Sequence, residues 1–174
     1  MKKLLFVIPF VALLGACNDP EPELPDPEPS SLSVKLTKDN SGLTNEDSTE
    51  PFDVSFGLKG TSKRYVIEIG PNCYAHETYD EFLIKKDGYI KSKCDFKVDR
   101  LIIDYMSKKG VNFIVENAKG EEVESHESKV KTEYPAEEDY GAVLEYPING
   151  NAWKIKNTTE YKPAFYSVTV VFTL

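Results

Sequence analysis

Tyr166-Ser167-Val168-Thr169-Val170-Val171-Phe172-Thr173-Leu174 is the stretch that decides the fold. Successive side chains of a strand point to opposite faces, so a period of two lays Tyr166, Val168, Val170, Phe172 and Leu174 on one face. Ser167, Thr169 and Thr173 fall on the other. β-Branched and aromatic residues fill the apolar side, as a half-buried strand requires. The spacing predicts a strand laid against the core.

The same alternation, divided by turn residues at short intervals, recurs upstream at 32–36, 52–58, 64–69, 89–98, 101–106, 112–116, 123–131, 142–146 and 153–156. Asn117-Ala118-Lys119-Gly120 separates an apolar strand from a very polar one, which predicts a hairpin whose second member sits at a sheet edge. Residues 121–129 carry almost nothing to bury, and charge of that density discourages strand addition by a neighbour. Asn149-Gly150 is the strongest short turn signal. One short helix is predicted after Thr78-Tyr79-Asp80-Glu81, which matches a capping box. Phe82, Leu83 and Ile84 follow, Lys85 and Lys86 suit the negative end of the dipole, and Gly88 can stop it.

Many short strands and one helix predict an all-β domain over residues 31–174: an antiparallel β-sandwich, immunoglobulin-like in broad architecture, with a small β-barrel as the alternative. About 144 residues suffice for one domain with a core of its own.

The other end of the chain reads differently. Met1-Lys2-Lys3 is followed by the apolar run from Leu4 to Leu14, the pattern of a signal peptide. The run falls short of the roughly 20 residues a spanning helix needs, and Pro9 interrupts it. Leu14-Gly15-Ala16-Cys17 resembles the lipobox of bacterial lipoproteins, an aliphatic residue and two small ones before the cysteine that is acylated. The resemblance covers residues 1–17. It implies removal of residues 1–16, two or three palmitate-class chains on Cys17, and stable anchoring, since each buried methylene contributes about 0.8 kcal/mol. Where Gram-negative sorting rules apply, an aspartate after the cysteine retains a lipoprotein at the inner membrane. Asn18 stands there, which points outward, to the outer membrane and either its periplasmic face or the cell surface.

Residues 17–30 are nearly all proline and acid beyond the cysteine, a composition that cannot form a core and that favours an extended tether. At about 3.1 Å per residue it reaches on the order of 40 Å. An acidic stretch in this place is similar, in composition, to the surface-export signals of some Gram-negative groups.

The formal charge is −8, and loss of Lys2 and Lys3 with the signal makes the mature chain more acidic still. That sign argues against a nucleic-acid partner and against direct docking on anionic headgroups. Cys73 and Cys94 remain in the domain, and an oxidising compartment predicts a Cys73–Cys94 disulfide, closing a loop of about 20 residues for roughly 3 kcal/mol.

Catalytic sets are missing: there is no Gly-x-Ser-x-Gly elbow, and His76 and His126 stand far apart in polar stretches. Glu121, Glu122, Glu124 and Glu137-Glu138-Asp139 do not follow the ligand spacing of an EF-hand, so no metal or cofactor is expected. The 29 acids make paired carboxylates uninformative about glycoside hydrolysis. Aromatics are the remaining lead. Tyr134, Tyr140, Tyr146, Trp153 and Tyr161 lie in or beside expected loops, where exposed rings anchor partners. The sequence thus predicts a non-enzymatic envelope lipoprotein that binds a protein or a surface glycan. The alternatives are an inhibitor or immunity-type lipoprotein blocking a basic enzyme such as a lysozyme and, behind it, a carbohydrate-active enzyme.

Overall fold

The computed structural model describes residues 32–108, 111–130 and 139–173. The expected signal peptide, Cys17 and the expected tether lie outside these residues. Residues 31–174 form one compact unit.

Two antiparallel sheets make up the domain. The larger has seven strands, in the order β4 (Cys73–Ala75), β5 (Phe82–Ile84), β12 (Ala164–Phe172), β7 (Val98–Lys108), β10 (Asp139–Gly150) and β9 (His126–Val130). Its seventh strand, β1 (Ser33–Leu36), pairs with β12 further along the side that β5 occupies. The smaller has five strands, ordered β2 (Phe52–Gly57), β3 (Arg64–Ile69), β6 (Tyr89–Ser92), β11 (Trp153–Lys156) and β8 (Ile114–Asn117). No barrel closes among the described residues, because β4 and β9 end one sheet and β2 and β8 the other. The sandwich is the architecture.

The alternation read in the sequence drives the packing. Tyr65, Ile67 and Ile69 of β3, Ile90 of β6 and Trp153 and Ile155 of β11 point inward. Leu101, Ile103 and Tyr105 of β7 and Val168, Val170 and Phe172 of β12 meet them in one cluster. Each large side chain buried this way contributes about 1.5–3 kcal/mol before conformational entropy is set against it.

The C-terminal strand departs from strict alternation at Tyr166, and its register against β7 shifts again between Val171 and Phe172. Phe165 faces Tyr105 and Ser167 faces Asp104, so Tyr166 is an extra residue on β12. This bulge moves Phe165 into the core at zero exposure, while Tyr166 is half-buried. Upstream of the bulge the apolar face expected at Tyr166 belongs to Phe165.

Two further expectations are corrected. No α-helix follows Thr78: the His76 ring nitrogen Nδ1 accepts from the Thr78 and Tyr79 amides at 3.1 and 3.2 Å, which makes a turn. Phe82, Leu83 and Ile84 are all buried and continue as β5 between β4 and β12. A helix would bury one stripe of that triplet, whereas a strand inside a sheet buries both faces. The Cys73–Cys94 disulfide is absent and both cysteines are free. Cys73 Sγ lies 3.6 Å from Tyr89 O at the start of β6, and Cys94 Sγ accepts from Val66 N at 3.2 Å beyond its end. The two thiols thus contact opposite ends of β6, and no disulfide joins them.

The Asn117 turn forms as expected. Asn117 Oδ1 accepts from the Lys119 and Glu121 amides, and Gly120 takes φ +77°, a left-handed conformation that suits glycine. The polar segment after it pairs with β8 at the Glu116–Glu122 bridge, then crosses to the other sheet as edge strand β9. Asn149 (φ +48°) and Gly150 fall in an irregularity of β10, where the chain leaves the larger sheet for β11 of the smaller.

Candidate functional site

The outward-facing side chains of the five-stranded sheet form a surface whose charge opposes that of the whole chain. Alternation sends Asp53 and Ser55 of β2, Arg64, Val66 and Glu68 of β3, Tyr89 and Lys91 of β6, Lys154 and Lys156 of β11, and Ile114 and Glu116 of β8 to this face. Lys93 extends it past the end of β6. Cations outnumber carboxylates here, on a chain of net charge −8.

Strand register builds its centre. One row runs Asp53, Glu68, Lys91, Lys154, Glu116 across all five strands. The next holds Tyr89 opposite Lys156. Tyr89 also faces Gly70, whose amide donates to Tyr89 O at 2.8 Å. The Tyr89 ring lies over that glycine so closely that a Cβ on Gly70 would stand 2.5 Å from it. A missing side chain just past the end of β3 therefore makes the seat for the aromatic ring.

Hydrogen bonding fixes the ring's far end. Tyr89 Oη donates to Glu68 Oε1 at 2.8 Å, and Lys91 Nζ reaches the same oxygen at 3.0 Å. Burial alone raises a carboxyl's pKa. For Glu68 the hydrogen bonds from Lys91 and Tyr89, with the charges of Lys91 and Lys93, outweigh it and hold the group below its ordinary value. Burial, then the hydrogen bond to the Glu68 carboxylate and its charge, push the Tyr89 phenol up to about 12, so it stays a neutral donor. Lys93 pairs with Asp53 at 2.9 Å, Lys156 pairs with Glu116, and Arg64 Nε donates to Ser55 Oγ at 2.6 Å.

Lys154 is the exception. It stands directly across from Lys91, and like charges opposite one another on a sheet are destabilising. Among the described residues no carboxylate lies within ion-pair distance of it. Its Nζ sits 4.7 Å above the Tyr89 ring centroid, with Lys91 Nζ at 5.3 Å.

The aromatics expected to contact partners are placed as follows. Trp153 and Tyr146 are buried, at 2% and 3% exposure, and are corrected from partner-facing rings to core residues. Tyr146, expected beside a loop at Pro147, lies within β10, and Trp153 opens β11 where a strand is expected. Tyr161 is exposed on the β11–β12 connection. Tyr134 and the side chain of Tyr140 lie outside the described residues, as does Cys17.

Two grooves lie elsewhere. One of about 390 Å³ is lined by Val111, Phe113, Val115, Glu122, Glu124 and Tyr146, the other, of about 240 Å³, by the loop from Gly42 to Phe52. Among the described residues no group of three His, Cys, Asp or Glu side chains is placed to hold a metal, and no helix is long and apolar enough to cross a membrane. Sequence reasoning missed the cationic face. Its signal is the alternation of lysine with apolar residues in Tyr89-Ile90-Lys91 and Lys154-Ile155-Lys156. No protein-family model matches this chain, and none of the curated proteins matches it.

Proposed function

We propose that this protein is a non-enzymatic recognition module of the bacterial envelope, held by a lipid on Cys17 and spaced by its acidic tether, which binds its ligand through the outer face of the five-stranded sheet. One observation carries the reading: the directly opposed, like-charged Lys91 and Lys154 beside Tyr89 on an otherwise acidic chain. Folding alone does not favour that pair, and a ligand that brings negative charge to it offsets its cost. The lipobox-like Leu14-Gly15-Ala16-Cys17 supports the anchor.

Two measurements test the two halves. Intact mass and palmitate labelling of the mature protein should find a chain starting at Cys17 with fatty acyl groups on it, and the Cys17→Ala variant should take no label. The mature protein in zwitterionic nanodiscs should retain material from solubilised envelopes, and the Lys91→Glu/Lys154→Glu variant should retain much less. Equal retention by both proteins would refute the assignment of the face.

An inhibitor role is the second reading. It is favoured by the acidic rim that Glu122 and Glu124 give the larger groove, a surface complementary to a basic enzyme. Lysozyme assays with excess protein decide it.

A further inference from the structure

The geometry points to a linear acidic glycan as the ligand of the five-stranded sheet, with one of its carboxylates seated between Lys91 and Lys154 above the Tyr89 ring. This assignment rests on the proposed function and names the ligand class for the same face.

Three features select an acidic ligand. Lys91 and Lys154 are cross-strand partners, so their Cβ atoms stand about 4.5–5.5 Å apart, and one anion can contact both ammoniums. Both ammoniums already gather over the negative face of one aromatic ring, 5.3 and 4.7 Å from its centroid, which holds them on the same side of the site. Glu68 pairs with Lys91 in the absence of ligand, whereas Glu116, across from Lys154 in the register, forms its ion pair with Lys156 instead. An arriving carboxylate therefore meets Lys154, which has no ion-pair partner among the described residues, beside Lys91, whose side chain is still 39% exposed while paired with Glu68.

The arrangement of the charges selects a linear chain. Side chains on one face of a strand recur about every 6.8 Å, and neighbouring strands are about 4.8 Å apart. Lys91 and Lys93 on one strand and Lys154 and Lys156 on the next thus make a two-strand-wide cationic strip. Asp53 and Glu116 bound it at either end of the row that crosses the sheet. A narrow chain laid along the strip meets Lys154 first and competes with Glu68, Asp53 and Glu116 for Lys91, Lys93 and Lys156. A flat anionic membrane would also meet the acidic remainder of the domain, and duplex DNA, with a charge every 1.7 Å or so, would be repelled by it more strongly.

The test uses the mature lipidated protein in zwitterionic nanodiscs. Its probes are a polygalacturonate oligosaccharide, the same oligosaccharide methyl-esterified to neutrality, a DNA duplex, and vesicles of phosphatidylglycerol against phosphatidylcholine. The acidic oligosaccharide should bind at least tenfold more tightly than its ester, and its affinity should fall as salt rises. Lys91→Glu/Lys154→Glu should weaken it by tenfold or more. Lys91→Gln/Lys154→Gln should weaken it less, and Lys119→Glu, which changes net charge in the Asn117 turn, should leave it unchanged. Thermal melts of each variant identify any that fail to fold, and the glutamine pair then carries the test.

Equal binding of acid and ester, or an effect of Lys119→Glu as large as that of the lysine pair, overturns the glycan assignment. So does tighter binding to DNA or to phosphatidylglycerol. If polygalacturonate fails to bind while envelope material is still retained in a Lys91- and Lys154-dependent way, the ligand class falls and the face stands. If that retention is absent too, the proposed function falls with it.

Discussion

Trp153 Nε1 donates a 2.8 Å hydrogen bond to Tyr65 Oη across the intervening strand β6, with both side chains out of solvent. Tyr65 in turn meets Phe172 of the opposite sheet edge to face, at 4.8 Å between ring centroids. The pair therefore ties three strands of one sheet together and joins them to the other. Burial, ahead of every other influence, pushes the Tyr65 phenol far above its ordinary value and keeps it neutral. Trp153→Phe keeps most of the apolar volume and removes the donor. It should destabilise the domain by about 1–3 kcal/mol in urea titration, the cost of stranding a buried polar partner. An unchanged midpoint would show that the hydrogen bond contributes nothing.

The thiols should behave independently. Intact mass with and without reductant should be identical, and two thiols should titrate in denaturant. In the native state alkylation should reach Cys94, which is half-buried. Cys73 should be protected, since burial pushes its thiol up to about 12 and starves it of thiolate. A mass difference matching one disulfide would contradict the placement of the two cysteines.

Gly70 is expected to be intolerant through its neighbour. In Gly70→Ala the new methyl meets the Tyr89 ring, and overpacking of this kind costs about 1–3 kcal/mol. The ring should be displaced, weakening ligand binding at the face. In the Gly70→Ala/Tyr89→Ala double variant the clash is gone, so its destabilisation should be less than the sum of the single changes.

Two carboxylates should give opposite pH slopes. Glu68 is held below the ordinary carboxyl value of about 4.5, so its contribution to stability is present above that pH and lost as pH falls through its folded value. Glu81 is buried and its pKa is raised, chiefly by that burial, with His76 and Lys38 opposing it. Its contribution is present below about pH 4.5 and lost as pH rises through its folded value, which makes the ionised group a cost at neutral pH. Glu81→Gln should therefore raise the melting temperature at pH 7. Glu68→Gln should lower it at pH 7 and flatten the acid limb. Parallel behaviour of the two variants would contradict these environments.

Much of this fold was legible as periodicity. β3 coincides with the expected 64–69 and β11 with 153–156, because lysine, arginine and glutamate alternate with apolar residues in both. Local pattern failed where tertiary contact decides. Thr78 to Gly88 has the composition of a capped helix, but the sheet offers Phe82 to Ile84 two faces to fill. The bulge at Tyr166 is set by the register of β7, and no local signal announces it. The disulfide followed from compartment and spacing alone, and the two thiols contact opposite ends of β6. Tyr146 and Trp153 looked exposed because turn residues flank them, and their strands turned them inward. The cationic face needed the pairing of Lys91 with Lys154, a relation between strands more than sixty positions apart.

Photo-crosslinking in growing cells distinguishes the lysine face from the rest of the surface, with the photoreactive residue placed either at Lys154 or at Lys119 in the Asn117 turn. Discrete envelope adducts are expected from position 154, suppressed by Lys91→Glu, and none from position 119. Adducts of equal yield from both positions, or from position 119 alone, would contradict the assignment of the face.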